Sequence, residues 1–282
     1  MPARPAVAQS AAARASATDA PPIVLIHGFA GGPEVWASVA GALGQHRTVH
    51  VIALDGHRTG EPIDDYATMT SESFVDGVLR DLDRLGVDTA HLVGNSLGGW
   101  IALRVAARGR AASVTCFAPA GGWREGSVVE RAIVAKFAAG YAISRGALRL
   151  VPSALQRPRV RAALMRTTVH RAQTIDAPTA RVILENFARC PSLVPLLLRR
   201  HRRALPDVGT VDVPVRIAWS EFDRILRGER SRQRYVDLLP EAEHFVLPGV
   251  GHVPMLEDPS LVVETILEAV TIAELATPAM TI

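Results

Sequence analysis

A serine held between small residues at the end of an apolar run can do chemistry that most serines cannot. Gly94-Asn95-Ser96-Leu97-Gly98 reads G-x-S-x-G inside "LVGNSLGGW" (92–100). Small residues two places either side suit a strand-to-helix turn too tight for a side chain, and such a turn strains the serine and exposes its hydroxyl. The helix that follows would aim its unpaired N–H groups and positive dipole end at charge developing beside that hydroxyl. A serine so placed could attack a carbonyl and carry an acyl group. The plainer alternative is an ordinary strand-to-helix turn, since the pentapeptide recurs in unrelated chains. A hydroxyl is a poor nucleophile unless a base takes its proton.

The elements that would position Ser96 follow from periodicity. Up to residue 120, apolar strand-like runs alternate with helical patterns. "PIVLIHG" (22–28), "RTVHVIALD" (47–55), "TAHLVGNS" (89–96) and "ASVTCFAP" (112–119) read as buried strands. Between them, 33–45 and 97–110 carry helical spacing. So does 71–87, with Phe74, Val78, Leu82 and Leu85 on one face and Ser71 or Ser73 at its start as a cap. Strand patterns return at 213–220 and 242–249, with helices predicted at 226–239 and 260–275. This order predicts an α/β fold: a doubly wound, mostly parallel sheet of about six strands joined by right-handed crossovers. Ser96 falls at the carboxyl end of a strand, where such sheets place reactive groups.

Residues 121–205 break the alternation and read as helices throughout, for example 127–151. They hold 16 Lys+Arg against four Asp+Glu, while the rest of the chain is net acidic, which marks them as a separate module. The expected organisation is a tail over 1–20, a core over 21–120 and 206–282, and a helical insertion over 121–205. The arginine run at 199–206 has no aromatic interleaving, so it is not a nucleic-acid signature. Only Lys136 among the 31 basic residues is a lysine. No apolar run reaches the roughly 18 residues of a membrane span. Residues 1–20 are Ala-rich, with no acid before Asp19 and no continuous apolar centre, and read as a disordered tail rather than a secretory signal. Cys116 and Cys190 are too few and too far apart for a disulfide framework or a zinc site. A reducing, cytoplasmic setting is expected.

Four stretches together resemble the α/β-hydrolase superfamily, in its serine-nucleophile branch with a helical cap. "HGFAGGPEVW" (27–36) resembles the family's oxyanion loop and "GNSLGG" (94–99) its nucleophile elbow. "WSEFDRIL" (219–226) resembles the acid turn, and "GVGHVPMLEDP" (249–259) the histidine loop. The resemblance implies Ser96 as nucleophile, Asp223 as acid and His252 as base, in the family's chain order. It also assigns the oxyanion to the backbone N–H groups of Phe29 and Leu97. His252 follows Gly251 on a loop after a strand, where an imidazole can reach across the sheet top. His27 is expected to be structural, and His57 lies in a loop that could line the entrance. Glu221 is the alternative acid. The Phe29 side chain and Val253 are expected to contact substrate, and 121–205 occupies the place of the family's cap.

Three departures shape the expectation. Only 22 residues, without a strand pattern, precede "IVLIHG", so the family's first hairpin is expected to be missing. The loop "LDGHRTGEP" (54–62) departs from the family's usual turn, and Ser220 stands where glycine is commoner. A serine nucleophile argues against the epoxide hydrolases and haloalkane dehalogenases of this fold. The C–C bond hydrolases share Gly-Asn-Ser, but they place an aromatic where this chain has Val253. The expected function is hydrolysis of a small-to-medium apolar carboxylic ester or lactone, a small-molecule partner, with no cofactor and no metal. A C–C hydrolase or a cofactor-free perhydrolase on the same triad are alternatives, and a ligand sensor on a hydrolase frame is the competing class.

Overall fold

The computed structural model describes residues 20–150, 152–198, 205–226 and 229–276 of the 282. The tail expected over 1–20, but for Ala20, and most of the arginine run at 199–206 lie outside the described residues.

Six strands form one sheet: β1 (Ile23–Ile26), β2 (Val49–Ile52), β3 (Ala90–Asn95), β4 (Ala111–Phe117), β5 (Val215–Ser220) and β6 (Glu243–Leu247). Their order is β2-β1-β3-β4-β5-β6 and every pair is parallel. No antiparallel pair is present in this sheet among the described residues; the stretch before Ala20, where the sequence predicts no hairpin, lies outside them. β1, β3 and β5 are buried at every position, which is why their sequences run apolar without alternating. In the register, Ile26 faces Gly94, so β1 ends one residue short of β3. The chain leaves β1 for β2 on one side and reaches β3 on the other. Between β1 and β3 the strand order therefore reverses, opening a crevice above their carboxyl ends.

Helices cover both faces. α1 (Ala37–Leu43) supplies Val39 and Leu43 to one apolar layer, with Val262, Ile266 and Val270 of α9 (Pro259–Ala276). α2 (Glu72–Leu85), α3 (Leu97–Ala106) and α8 (Glu229–Leu238) pack the other with Phe74, Val78, Leu82, Trp100, Ile101 and Tyr235. Each such side chain contributes about 1.5–3 kcal/mol by leaving water. Two local expectations change. The helix expected over 33–45 opens as a 3-10 turn, Pro33–Trp36, before α1. Neither serine caps α2 as expected: Ser71 sits at its start without a side-chain bond to the first turn, and the Ser73 hydroxyl accepts from the Thr70 N–H at 3.1 Å.

Between β4 and β5 lie α4 (Val128–Leu150), α5 (Pro158–Met165), α6 (Ala177–Ala188) and α7 (Leu193–Leu198), interrupted by 3-10 turns at Pro152–Gln156 and Ala172–Thr174. α4 begins on a reciprocal cap. The Ser127 hydroxyl accepts from the Glu130 N–H at 3.2 Å while the Glu130 carboxylate accepts from the Gly126 N–H. α6 begins on Asp176, whose carboxylate accepts from the Thr179 N–H at 2.7 Å. Leu155, Met165, Val169, Ile175, Ala180 and Leu184 give the insertion a small core of its own. No helix among the described residues is long and apolar enough to cross a membrane.

Candidate active site

Ser96 joins β3 to α3 with φ 56° and ψ −117°, a conformation that costs a non-glycine residue on the order of 1–3 kcal/mol. The surroundings enforce it. The Ser96 N–H donates to the Phe117 carbonyl at 2.9 Å, and the Ser96 carbonyl accepts from the N–H groups of Gly99, Trp100 and Ala120. A Cβ at Gly94 would collide with the backbone of Gly98 and Gly99, and one at Gly98 with the carbonyls of Ile26 and His27. The two glycines of the motif are therefore required by space.

His252 follows β6, and Asp223 follows β5 through a short turn. The His252 Nδ1–H donates to Asp223 Oδ2 at 2.6 Å, and both side chains are nearly sealed from solvent. A carboxylate can only accept here, so the proton sits on Nδ1 and Nε2 is left as an acceptor. The other Asp223 oxygen, Oδ1, accepts from the N–H groups of Ile225 and Leu226 at 2.7 and 2.8 Å. Burial pushes the Asp223 carboxyl up, but the imidazole, its hydrogen bond and the two amides outweigh it. The net pKa lies below the ordinary value, and the group stays ionised. Glu221, the alternative acid, is exposed, and its carboxylate accepts from the Gly249 N–H at 2.8 Å.

The loop after β1 closes the other side. His27 is buried, accepts from the Leu54 N–H at Nε2 (3.1 Å) and contacts the Gly28 carbonyl through Nδ1 (2.9 Å). Burial lowers its pKa to about 4. It is a structural strut, as expected. Among the described residues, neither the Phe29 nor the Leu97 N–H donates to a backbone carbonyl in a turn, loop or cap. Gly28 approaches so closely that a Cβ there would lie 3.2 Å from Ser96 Cβ. His57 does not line the entrance. It is buried edge-on against Phe29, with ring centres 5.7 Å apart, and burial and the neighbouring His27 lower its pKa to about 3.

Two cavities meet at Ser96. One is walled by Phe74, Leu97, Ile133, Val134, Leu196 and Leu197. The other is walled by Gly28, Thr168, Ile183, Asn186, His252 and Val253. Phe29, Ser96, Phe137 and Ile225 line both. The structure thus brings Ser96, His252, Phe29 and Val253 to one cavity, with Asp223 behind His252. No group of three or more His, Cys, Asp or Glu side chains among the described residues could hold a metal ion.

Several site residues were not found from sequence. The Asn95 amide donates to the carbonyls of Phe117 (3.0 Å) and His252 (2.9 Å), tying the elbow to the histidine loop. Arg58 Nε donates to Asn186 Oδ1 at 2.5 Å, Arg58 Nη2 pairs with Glu34 at 2.6 Å, and Asn186 Nδ2 donates to Glu34 at 3.1 Å. That triangle joins α6 of the insertion to the loops after β1 and β2. Lys136 of α4 donates to the carbonyls of Arg224 and Ile225 in the acid turn, at 2.8 and 3.1 Å. His170 stacks on Phe222 with ring centres 3.8 Å apart, and the Val253 N–H donates to the Thr168 carbonyl at 3.1 Å.

Residues 23–265 match the model of the Alpha/beta hydrolase family. Over 205 residues, 70% of this chain and 94% of the other, the sequence is 40% identical to "Epoxide hydrolase EphH" of Mycobacterium tuberculosis. Two solved structures share the fold. Carboxylesterase CesB from Bacillus subtilis superposes with a TM-score of 0.67 at 20% identity, over 89% of this chain and 84% of that one. A thermophilic esterase from Thermogutta terrifontis gives 0.67 at 20% identity, over 90% of each chain.

Proposed function

The chain belongs to the alpha/beta hydrolase family, and from that premise we propose that it cleaves a small-to-medium apolar carboxylic ester or lactone through an acyl-Ser96 intermediate. The observation that carries this reading is the His252–Asp223 hydrogen bond beside a serine held at positive φ on the same cavity.

In the first half-reaction His252 Nε2 takes the Ser96 proton as Oγ attacks the carbonyl carbon. The Phe29 and Leu97 N–H groups receive the oxyanion; one such donor is worth about 2.7–4 kcal/mol of barrier. Asp223 fixes the tautomer and stabilises the imidazolium. The tetrahedral species collapses, the C–O bond breaks, and the leaving oxygen takes the proton from His252. In the second half, water loses a proton to His252, attacks the acyl carbon and releases the acid. The helical insertion acts as a cap over both cavities.

The 40% identical relative favours a second reading, epoxide opening. Chemistry weighs against a covalent route. A serine alkoxide opening an epoxide leaves an ether, which water does not release, whereas a carboxylate nucleophile would leave a hydrolysable ester. Among the described residues, no tyrosine lines either cavity to protonate an epoxide oxygen. A fluorophosphonate probe labels the wild type and not Ser96→Ala, and chromogenic esters turn over only in the wild type. Epoxide hydration retained by Ser96→Ala would instead point to water activated directly by His252. Labelling without turnover would support the ligand sensor, and peroxide-dependent peracid formation a perhydrolase. Absence of labelling in the folded protein would overturn the serine mechanism.

A further inference from the structure

We propose that Phe137 partitions the site into an acyl cavity and a leaving-group cavity, and so selects open-chain esters over lactones; this rests on the ester-hydrolase reading above. The assignment follows from where the proton is delivered. The leaving oxygen must take its proton from His252, and His252 lines only the cavity that holds Thr168, Ile183 and Asn186. The alcohol side of the substrate therefore lies there. The acyl group that stays on Ser96 turns the other way, past Leu97 and into the cavity walled by Phe74, Ile133, Val134 and Leu196. That cavity is apolar apart from Ser71, Ser96 and Glu130, and the Glu130 carboxylate is engaged by the Gly126 N–H. It suits an uncharged alkyl or aryl chain.

Phe137 stands at the junction, on α4. Its ring lies 5.4 Å from Phe29, and 5.5 Å from Phe187 in a stacked arrangement with 25° between planes. Gly140, one turn further on, makes that stacking possible: a Cβ there would come 3.1 Å from the Phe187 ring. The three aromatics make a continuous wall. The leaving group meets the Phe137 and Phe187 rings together with Asn186 and Thr168, which fits a compact or aromatic alcohol. In a lactone the acyl carbon and the leaving oxygen belong to one ring. That ring must straddle the wall, while an open-chain ester sends one arm to each side.

Two ester series test the partition: p-nitrophenyl esters from acetyl to dodecanoyl, and butyrates of methyl, phenyl and 1-naphthyl alcohols. Ile133→Trp fills only the acyl cavity and is expected to cut kcat/KM for octanoyl relative to acetyl by more than tenfold, leaving the alcohol ranking unchanged. Ile183→Trp fills only the leaving-group cavity and is expected to cut 1-naphthyl relative to methyl by more than tenfold, leaving the acyl profile unchanged. Phe137→Ala is expected to raise lactone turnover relative to open-chain esters at least tenfold. Fluorophosphonate labelling of Ser96 reports that each variant is folded, and Ile133→Phe and Ile183→Phe replace any tryptophan variant that does not label. A reversed pattern, or no change in either series, overturns the partition while leaving the ester chemistry in place. A wild type that labels but cleaves no ester of either series overturns both readings.

Discussion

Asn95 carries a task that its place in the elbow conceals. Each of its two amide hydrogens is donated to a carbonyl, one at the end of β4 and one on His252 itself. Removing that amide leaves the Phe117 carbonyl with only its bond from the Ser96 N–H, takes the side-chain donor from the His252 carbonyl and frees the histidine backbone. Losing a donor to a buried carbonyl costs about 1–3 kcal/mol. Asn95→Ala is therefore expected to lower kcat ten- to a hundredfold with KM within about twofold, since the base is displaced while the substrate walls stay. Steady-state kinetics with one chromogenic ester check it. Asp223→Asn should cost more. The amide can present its NH2 to Nδ1 and force the wrong tautomer, so kcat should fall by about 10³–10⁴ with labelling of Ser96 slowed in proportion. Asn95 is invisible to sequence reasoning because its acceptors are backbone atoms 22 and 157 residues away. The turn that holds Ser96 was legible because its tightness demands glycines, and His252 was singled out because its loop after a strand resembles the family's histidine loop.

At the scale of elements, the strands were legible nearly to their ends, because a strand buried on both faces, as β1, β3 and β5 are, reads as a near-continuous apolar run. The arrangement of the insertion was not. Its helices could be read from their spacing, but what they touch depends on contacts such as Arg58–Asn186 and Glu34–Asn186, 128 and 152 residues apart. The cap of α2 was misread for a related reason: a serine hydroxyl has several backbone partners within reach, and Ser73 takes Thr70. The Glu34–Arg58–Asn186 triangle couples α6 to the loop that carries the Phe29 N–H. Asn186 is 1% exposed, so Arg58→Ala leaves its Oδ1 buried without a donor. The expected cost is about 1–2 kcal/mol, a fall in Tm of about 2–6 °C by calorimetry. A drop in kcat/KM of about tenfold should accompany it as the loop that carries the Phe29 N–H, the proposed oxyanion donor, loosens.

Across the whole molecule, the reversal of strand order between β1 and β3 brings Phe29 and Ser96 to one crevice, and the buried His27–His57 pair packs beside Phe29. That pair makes the fold sensitive to acid. His27 and His57 are neutral in the folded chain, with pKa values near 4 and 3, while unfolded imidazoles titrate near 6.5. Below about pH 6.5 the unfolded chain binds protons that the folded chain does not. Stability therefore falls as pH drops, by about 2 kcal/mol for each histidine at pH 5. The Asp223 carboxyl, held below its ordinary value, adds a further loss only as pH falls through that lowered value. Scanning calorimetry from pH 8 to pH 5 should show Tm falling, and His57→Phe should make the slope shallower.

Lys136 supplies the only ε-amine in the chain, it is exposed, and it grips two carbonyls of the turn that holds Asp223. Acetic anhydride or a lysine acetyltransferase would find a single side-chain target there. Acetylation would remove the charge and two of the three donors together, whereas reductive methylation would keep the charge. A modification whose single side-chain target is Lys136 thus becomes a dial on the proposed catalytic acid. Intact-mass spectrometry would count the modification while the residual rate is read from the same sample.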